Sequence, residues 1–196
     1  GHVGKATADL AYSLGYRVYL VDDRPEFCNE ERFPYAEERV VATYDKWTEN
    51  VDLNVNSFVV VATRGHRFDD MALESALKTR ARYVGVLGSR RKTIMIYRRL
   101  LQQGVSLERI KEVYAPIGLN IGALEPEELA VSIMSEIIMV RRGGDGGPRS
   151  REDDERRLRS DGPAADGALG VARRGTDDGA YPRRSGRGAD PGGLAE

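Results

Sequence analysis

The residues with the most chemistry to offer are three consecutive cations, Arg90, Arg91 and Lys92, directly behind Gly88 and Ser89. The stretch before them, Tyr83-Val84-Gly85-Val86-Leu87, is apolar and β-favouring. Together they read as a short buried strand, a glycine turn and the first turn of a helix. Gly88 permits a tight turn and close approach of a ligand, and Ser89 is a good N-cap. A helix start already carries partial positive charge, so three cations there cost stability unless an anion offsets them. One reading is a phosphate held by the free N–H groups of the helix start. The other is three solvated cations on a helix surface.

A second strand end carries similar potential. Ser57 to Thr63 is a continuous apolar run, suited to a parallel strand covered on both faces. Directly behind it come Arg64, Gly65 and His66, with a helix expected over Met71 to Lys78. In open parallel sheets ligands lie beyond the carboxyl ends of the strands. That rule sends Arg64, Gly65 and His66 to the same edge as Gly88. His66 is either part of a site there or a surface or capping histidine.

A third group opens the chain. Gly1-His2-Val3-Gly4 precedes a helical pattern of Ala6, Leu10, Ala11 and Leu14, stopped by Gly15. The strand Tyr16 to Val21 follows and ends at Asp22. Glycine loop, helix, strand and acid match the later part of a G-x-G-x-x-G dinucleotide fingerprint, with Gly1 and Gly4 as its second and third glycines. The first glycine and the strand before it are expected upstream of residue 1, as the start on Gly1 rather than Met also suggests. The plainer alternative is an ordinary helix start and a strand-terminal acid.

The remaining elements position these groups. Asp23 to Tyr35 is a polar loop holding Cys28, and nothing in the sequence lowers the pKa of that thiol. A short strand covers Arg39 to Ala42, and Trp47 is expected over an edge. The helix behind Lys92 runs to Gln103, with Ile94, Tyr97, Leu100 and Leu101 on one face. A short helix spans Ser106 to Glu112. Val113 to Ala123 is apolar and punctuated by Gly118 and Gly122, which serve either close approach to a ligand or only turns. A last helix begins at Pro126 and carries Leu129, Ile133, Ile137 and Val140 as an apolar stripe.

Composition bounds the rest. The chain has 196 residues, a net charge of −1 and one cysteine. No bulk charge draws it to nucleic acid or membrane, no internal disulfide can form, and a cytoplasmic setting fits. No apolar run reaches the roughly 18 residues that span a bilayer. From Gly143 onward Ile, Phe, Met, Trp and Lys disappear while Gly, Arg, Asp, Ala and Pro dominate. Residues 143–196 are therefore expected to form a disordered, low-complexity tail behind a domain over 1–142.

The motifs taken together resemble a family. Gly1-His2-Val3-Gly4, Val21-Asp22-Asp23-Arg24-Pro25-Glu26-Phe27, Thr63-Arg64-Gly65-His66, Gly85-Val86-Leu87-Gly88-Ser89-Arg90-Arg91-Lys92 and Ala115-Pro116-Ile117-Gly118-Leu119-Asn120-Ile121-Gly122-Ala123 stand in this order. Over about residues 1–143 the chain is similar to the C-terminal Rossmann domain of the xanthine dehydrogenase accessory factors, the XdhC/CoxI family. That resemblance implies a three-layer α/β fold with a mostly parallel sheet whose first strand is missing here. It implies binding of the molybdenum cofactor (molybdopterin), support of its sulfuration by a cysteine desulfurase, and insertion into a molybdenum hydroxylase apoenzyme. The role is that of a cofactor chaperone more than a catalyst, and a homodimer is compatible with it. Molybdopterin carries a terminal phosphate, or a nucleotide diphosphate in its dinucleotide forms. The implied binding residues are Gly1, His2, Gly4, Asp22, Asp23, Arg64, Gly65, His66, Gly88, Ser89, Arg90, Arg91, Lys92 and Gly118. The runner-up is a nucleotide-dependent oxidoreductase of the NAD(P) type, although no Tyr-x-x-x-Lys pair or zinc set accompanies the fold.

Overall fold

The structure, a computed structural model, describes residues 1–149. The chain divides into two units, Gly1–Arg151 and Glu152–Glu196. The expected tail lies almost wholly outside the described residues, and the elements all belong to the first unit.

Their order is α1 (His2–Ser13), β1 (Tyr19–Asp22), β2 (Glu38–Val41), β3 (Phe58–Val61), α2 (His66–Leu77), β4 (Tyr83–Val86), α3 (Arg90–Gln102), α4 (Leu107–Lys111) and α5 (Pro126–Arg142). Single 3-10 turns stand at Pro25–Phe27 and Trp47–Glu49. Every strand pair is parallel. β1 pairs with β2 in the register Val21↔Val40, and β3 pairs with β4 in the register Val61↔Val86. Tyr114 adds a bridge to Gly85 on the far side of β4. The sheet is thus two parallel pairs. Among the described residues no backbone hydrogen bond joins β1 to β3.

Side chains on alternate faces of the strands build the layers, as the two-residue period of a strand requires. Val59, Val61, Val84 and Val86 face Leu73 and Ala76 of α2 and Ile96 and Leu100 of α3. Phe58, Val60, Tyr83 and Leu87 face α1 and α5, meeting Val3, Leu10, Ile133, Met134 and Ile137. A smaller cluster seats Ala8 of α1 against Val18, Phe33 and Ala36. Helices therefore cover both faces, α1 packs along α5, and the expected three-layer α/β arrangement is present.

Local rules explain the ends. Ser89 and Ser106 cap α3 and α4, their side chains accepting from the N–H groups of Lys92 and Arg109. Glu125 opens α5 in a reciprocal capping box with Glu128, and Gly143 closes it in a left-handed conformation at φ 74°.

Several expectations are corrected. α2 begins at His66 rather than Met71, so Phe68, Asp69 and Asp70 lie in the helix. Trp47 is no edge cover: it is buried in the main core and its Nε1 donates to the Ala72 carbonyl at 3.3 Å. On α3 the inward residues are Thr93, Ile96 and Leu100, while Ile94 and Leu101 are about half exposed. The Cys28 thiol sits inside its loop, 3.6 Å from the Leu20 carbonyl oxygen and 3.5 Å from that of Val40. Burial pushes its pKa up. No described helix is long and apolar enough to cross a membrane.

Candidate functional site

The parallel register delivers the chemical groups to one edge. Because Val61 stands opposite Val86, and Leu87 N–H donates to the Val61 carbonyl at 2.8 Å, the turns Thr63-Arg64-Gly65 and Gly88-Ser89 leave β3 and β4 side by side. β1 ends at Asp22 in the same direction within its own pair. The start of α1 joins them: a Cβ placed on Gly4 would lie 3.8 Å from the Ala62 side chain, immediately before Thr63. Gly1 is close enough to Asp22, Arg24 and Arg32 to feel their charges. Of the residues singled out in the sequence, Gly1, Gly4, Asp22, Asp23, Arg64, Gly65, Gly88, Ser89, Arg90, Arg91 and Lys92 all lie at this edge. His2 and His66 are the first residues of α1 and α2 there.

Between the two strand pairs runs a chain of charges. Arg24 forks onto Asp22, with Nε 2.9 Å from Oδ1 and Nη2 3.2 Å from Oδ2. The Arg24 guanidinium lies 3.8 Å from the centre of the Phe27 ring. Asp23 receives Arg64 from the other pair, Nη2 to Oδ2 at 2.7 Å, and the Tyr44 hydroxyl at 3.1 Å. Arg64 also lies over the Phe68 ring at 4.7 Å. Burial alone would raise the Asp22 carboxyl, but the hydrogen bonds and charge of Arg24 outweigh it and hold that carboxyl below the ordinary range. Burial, followed by the charges of Asp22 and Asp23, pushes the Tyr44 phenol up to about 12.

The three cations of the basic triplet differ in their surroundings. Arg90 and Arg91 are exposed at the start of α3, whose first turn holds no acidic residue. Lys92 turns the other way. Its ammonium pairs with Asp69, which is fully buried, and donates to the Leu87 carbonyl at 3.0 Å. Asp69 also accepts from Thr63, from its N–H at 3.2 Å and its hydroxyl at 2.7 Å. The freedom expected of Gly88 is used by this lysine: a Cβ there would stand 2.6 Å from Lys92 Cδ. Gly118 likewise makes its close approach to protein. It holds φ 100°, and a Cβ on it would collide with Ser132 Oγ of α5.

Arg24 and Thr63 stood in the sequence only inside longer motifs and Asp69 in none, yet all three hold charged or polar partners at this edge. Asp69 was legible in principle: placing the start of α2 at Gly65 puts an acid in its first turn, where helix starts favour one.

These features define a class, a Rossmann-type domain with helix starts and arginines converging on the strand ends. The family described as XdhC Rossmann domain matches residues 1–137. This chain belongs to that family. It is 35% identical over 148 residues to the Escherichia coli K12 protein YqeB, covering 75% of this chain and 27% of that protein. It is 33% identical over 135 residues to a probable xanthine dehydrogenase subunit of Bacillus subtilis 168, covering 69% and 39%. Likeness to the molybdenum cofactor insertion chaperone PaoD of E. coli K12 is lower, 24% over 137 residues, covering 70% and 36%. The crystal structure of a xanthine dehydrogenase from Bacillus halodurans superposes with a TM-score of 0.63 at 29% identity, covering 76% of this chain and 43% of that one. The chain thus spans less than half the length of each of these relatives.

Proposed function

We propose that this chain is the cofactor-binding domain of an accessory protein that carries the molybdenum cofactor to a xanthine dehydrogenase-type molybdenum hydroxylase. Its role in the molybdenum-cofactor context is supported by the family and by the roles that the names of two relatives state. The observation that carries the reading to a site is the convergence of Arg64, Arg90 and Arg91 on helix starts at one sheet edge. This donor set fits a phosphate-bearing group: α1 and α2 have no side-chain cap, and the first turns of α1 and α3 contain no acidic residue of their own. Arg90 and Arg91 would hold the terminal phosphate of molybdopterin, with Arg64 approaching from β3. Ser89 would contribute through the helix start that it caps. The molybdenum centre, if bound here, would supply its chemistry only after transfer to the recipient enzyme. This chain's residues bind, orient and release.

Sulfuration by a cysteine desulfurase, docking on the apoenzyme, homodimer formation and a cytoplasmic setting complete the proposal. The test is titration of the protein with molybdenum cofactor against NAD(H), NADP(H) and CTP. Molybdenum cofactor should bind most tightly. Arg91→Ala should weaken it by about 1–3 kcal/mol, the range of a charge-assisted hydrogen bond, with little change in melting. Equal affinity in wild type and an Arg90→Ala/Arg91→Ala variant would refute the phosphate contact. Preferential NAD(P) binding would favour the oxidoreductase reading.

A further inference from the structure

Lys92 is the most deeply committed cation at the candidate site. Its side chain is 16% exposed and its ion-pair partner Asp69 is 0% exposed. The pair joins three separate segments: the start of α3 through Lys92, the first turn of α2 through Asp69, and the end of β4 through the Leu87 carbonyl. Thr63 at the end of β3 is tied into the same carboxylate by two hydrogen bonds. The Lys92 stem reaches this position by crossing directly over Gly88, where no side chain is present. The hydrogen bond and the ion pair of this ammonium both point into the fold, unlike the exposed Arg90 and Arg91.

We propose that Lys92 is a positioning residue. Through Asp69 it fixes the start of α3, which presents Arg90 and Arg91, against the β3–α2 turn that presents Arg64. The inference rests on the anion-receiving reading of this sheet edge and assigns its cations two different tasks. Buried ion pairs are poor stabilisers against apolar replacements, so a role in geometry gives this pair a reason to be ionic.

Inorganic pyrophosphate is the probe, titrated calorimetrically into the full chain and three variants. Lys92→Met and Asp69→Asn should each weaken binding, by roughly tenfold, the size of one coupling between neighbouring groups. The double variant should bind no worse than either single one, because the same link is cut twice. If Lys92 instead contacts the anion, Asp69→Asn will free its ammonium and tighten binding, which overturns the proposal. Variants that melt earlier yet bind as wild type also overturn it, leaving a merely structural pair. A second measurement covers variants that fail to fold: the Lys92 ammonium signal of isotope-labelled wild type should appear in slow exchange and stay in place on saturation with pyrophosphate. A signal that moves as a bound ligand would move it refutes the assignment. Wild type that binds no pyrophosphate fails earlier, at the anion site itself, and so is distinguishable from failure of the positioning role.

Discussion

If Arg64 receives an anion as proposed, Asp23 sets how freely it can do so. Its carboxylate holds that guanidinium from the other strand pair at 2.7 Å while also accepting the Tyr44 hydroxyl. An incoming anion must replace one charge-assisted partner with another. Asp23→Asn is therefore expected to strengthen pyrophosphate binding by roughly 0.5–1 kcal/mol, the worth of a partly exposed ion pair. Unchanged or weaker affinity in calorimetry would count against this competition. Asp22 and Asp9 predict the acid behaviour. Burial opposes their ionisation, but Arg24 for Asp22, and Lys5 and Tyr35 for Asp9, more than reverse it and lower both carboxyls. A carboxyl lowered in the folded state lends stability that is complete above its unfolded value, roughly 3.9. That stability is lost as pH falls through the lower folded value. Melting temperature should stay level from neutral pH to about 5 and fall below the unfolded value. Asp22→Asn should flatten that acid limb, and an unaltered limb would remove Asp22 from the explanation.

At the scale of elements, one glycine and one cap set how α5 meets the segment before it. Gly118 holds φ 100°, and Ser132 Oγ stands where its Cβ would need room. That hydroxyl donates to the Leu119 carbonyl at 2.6 Å and has little room to move. Gly118→Ala should destabilise by about 1–3 kcal/mol through backbone strain and overpacking, read as a lower denaturation midpoint at unchanged slope. A neutral effect would show that the loop can step away from α5. Glu125→Ala removes one half of the capping box and should cost about 1 kcal/mol. The α3 face illustrates how such packing hides from a sequence. Thr93 is buried although polar, because its hydroxyl donates to the Ser89 carbonyl at 3.1 Å. Ile94 looks like core yet faces outward. Hydrophobicity ranks residues, but whether a threonine finds its partner inside the helix is a property of the fold.

For the whole molecule, the two parallel pairs leave β1 and β3 each hydrogen-bonded on one side only among the described residues. Open parallel edges invite a further strand, and Rossmann sheets place one in this position. The chain is expected to run heavier than a monomer in light scattering, or to gain cooperativity when a preceding strand is supplied. A monomer that melts in one cooperative transition at all concentrations would rule this out. Ending the chain after residue 149 should leave melting and pyrophosphate binding unchanged, since residues 150–196 offer no Ile, Phe, Met or Trp to a core.

By itself the sequence determined the parallel α/β class, the order of its elements and the edge at which chemistry gathers. Continuous apolar runs ending in glycine turns have few other ways to be buried, and parallel strands send their carboxyl ends the same way. Arg64, Gly88 and Ser89 could thus be placed without coordinates. Only the tertiary structure decided the partners. Asp23 and Arg64 stand 41 positions apart in the chain, and Lys92 meets an acid on a different helix. Three adjacent cations look alike as letters. They separate into exposed Arg90 and Arg91 and inward Lys92 because the missing side chain of Gly88 lets one stem fold back over the turn, toward a carboxylate that α2 has already buried.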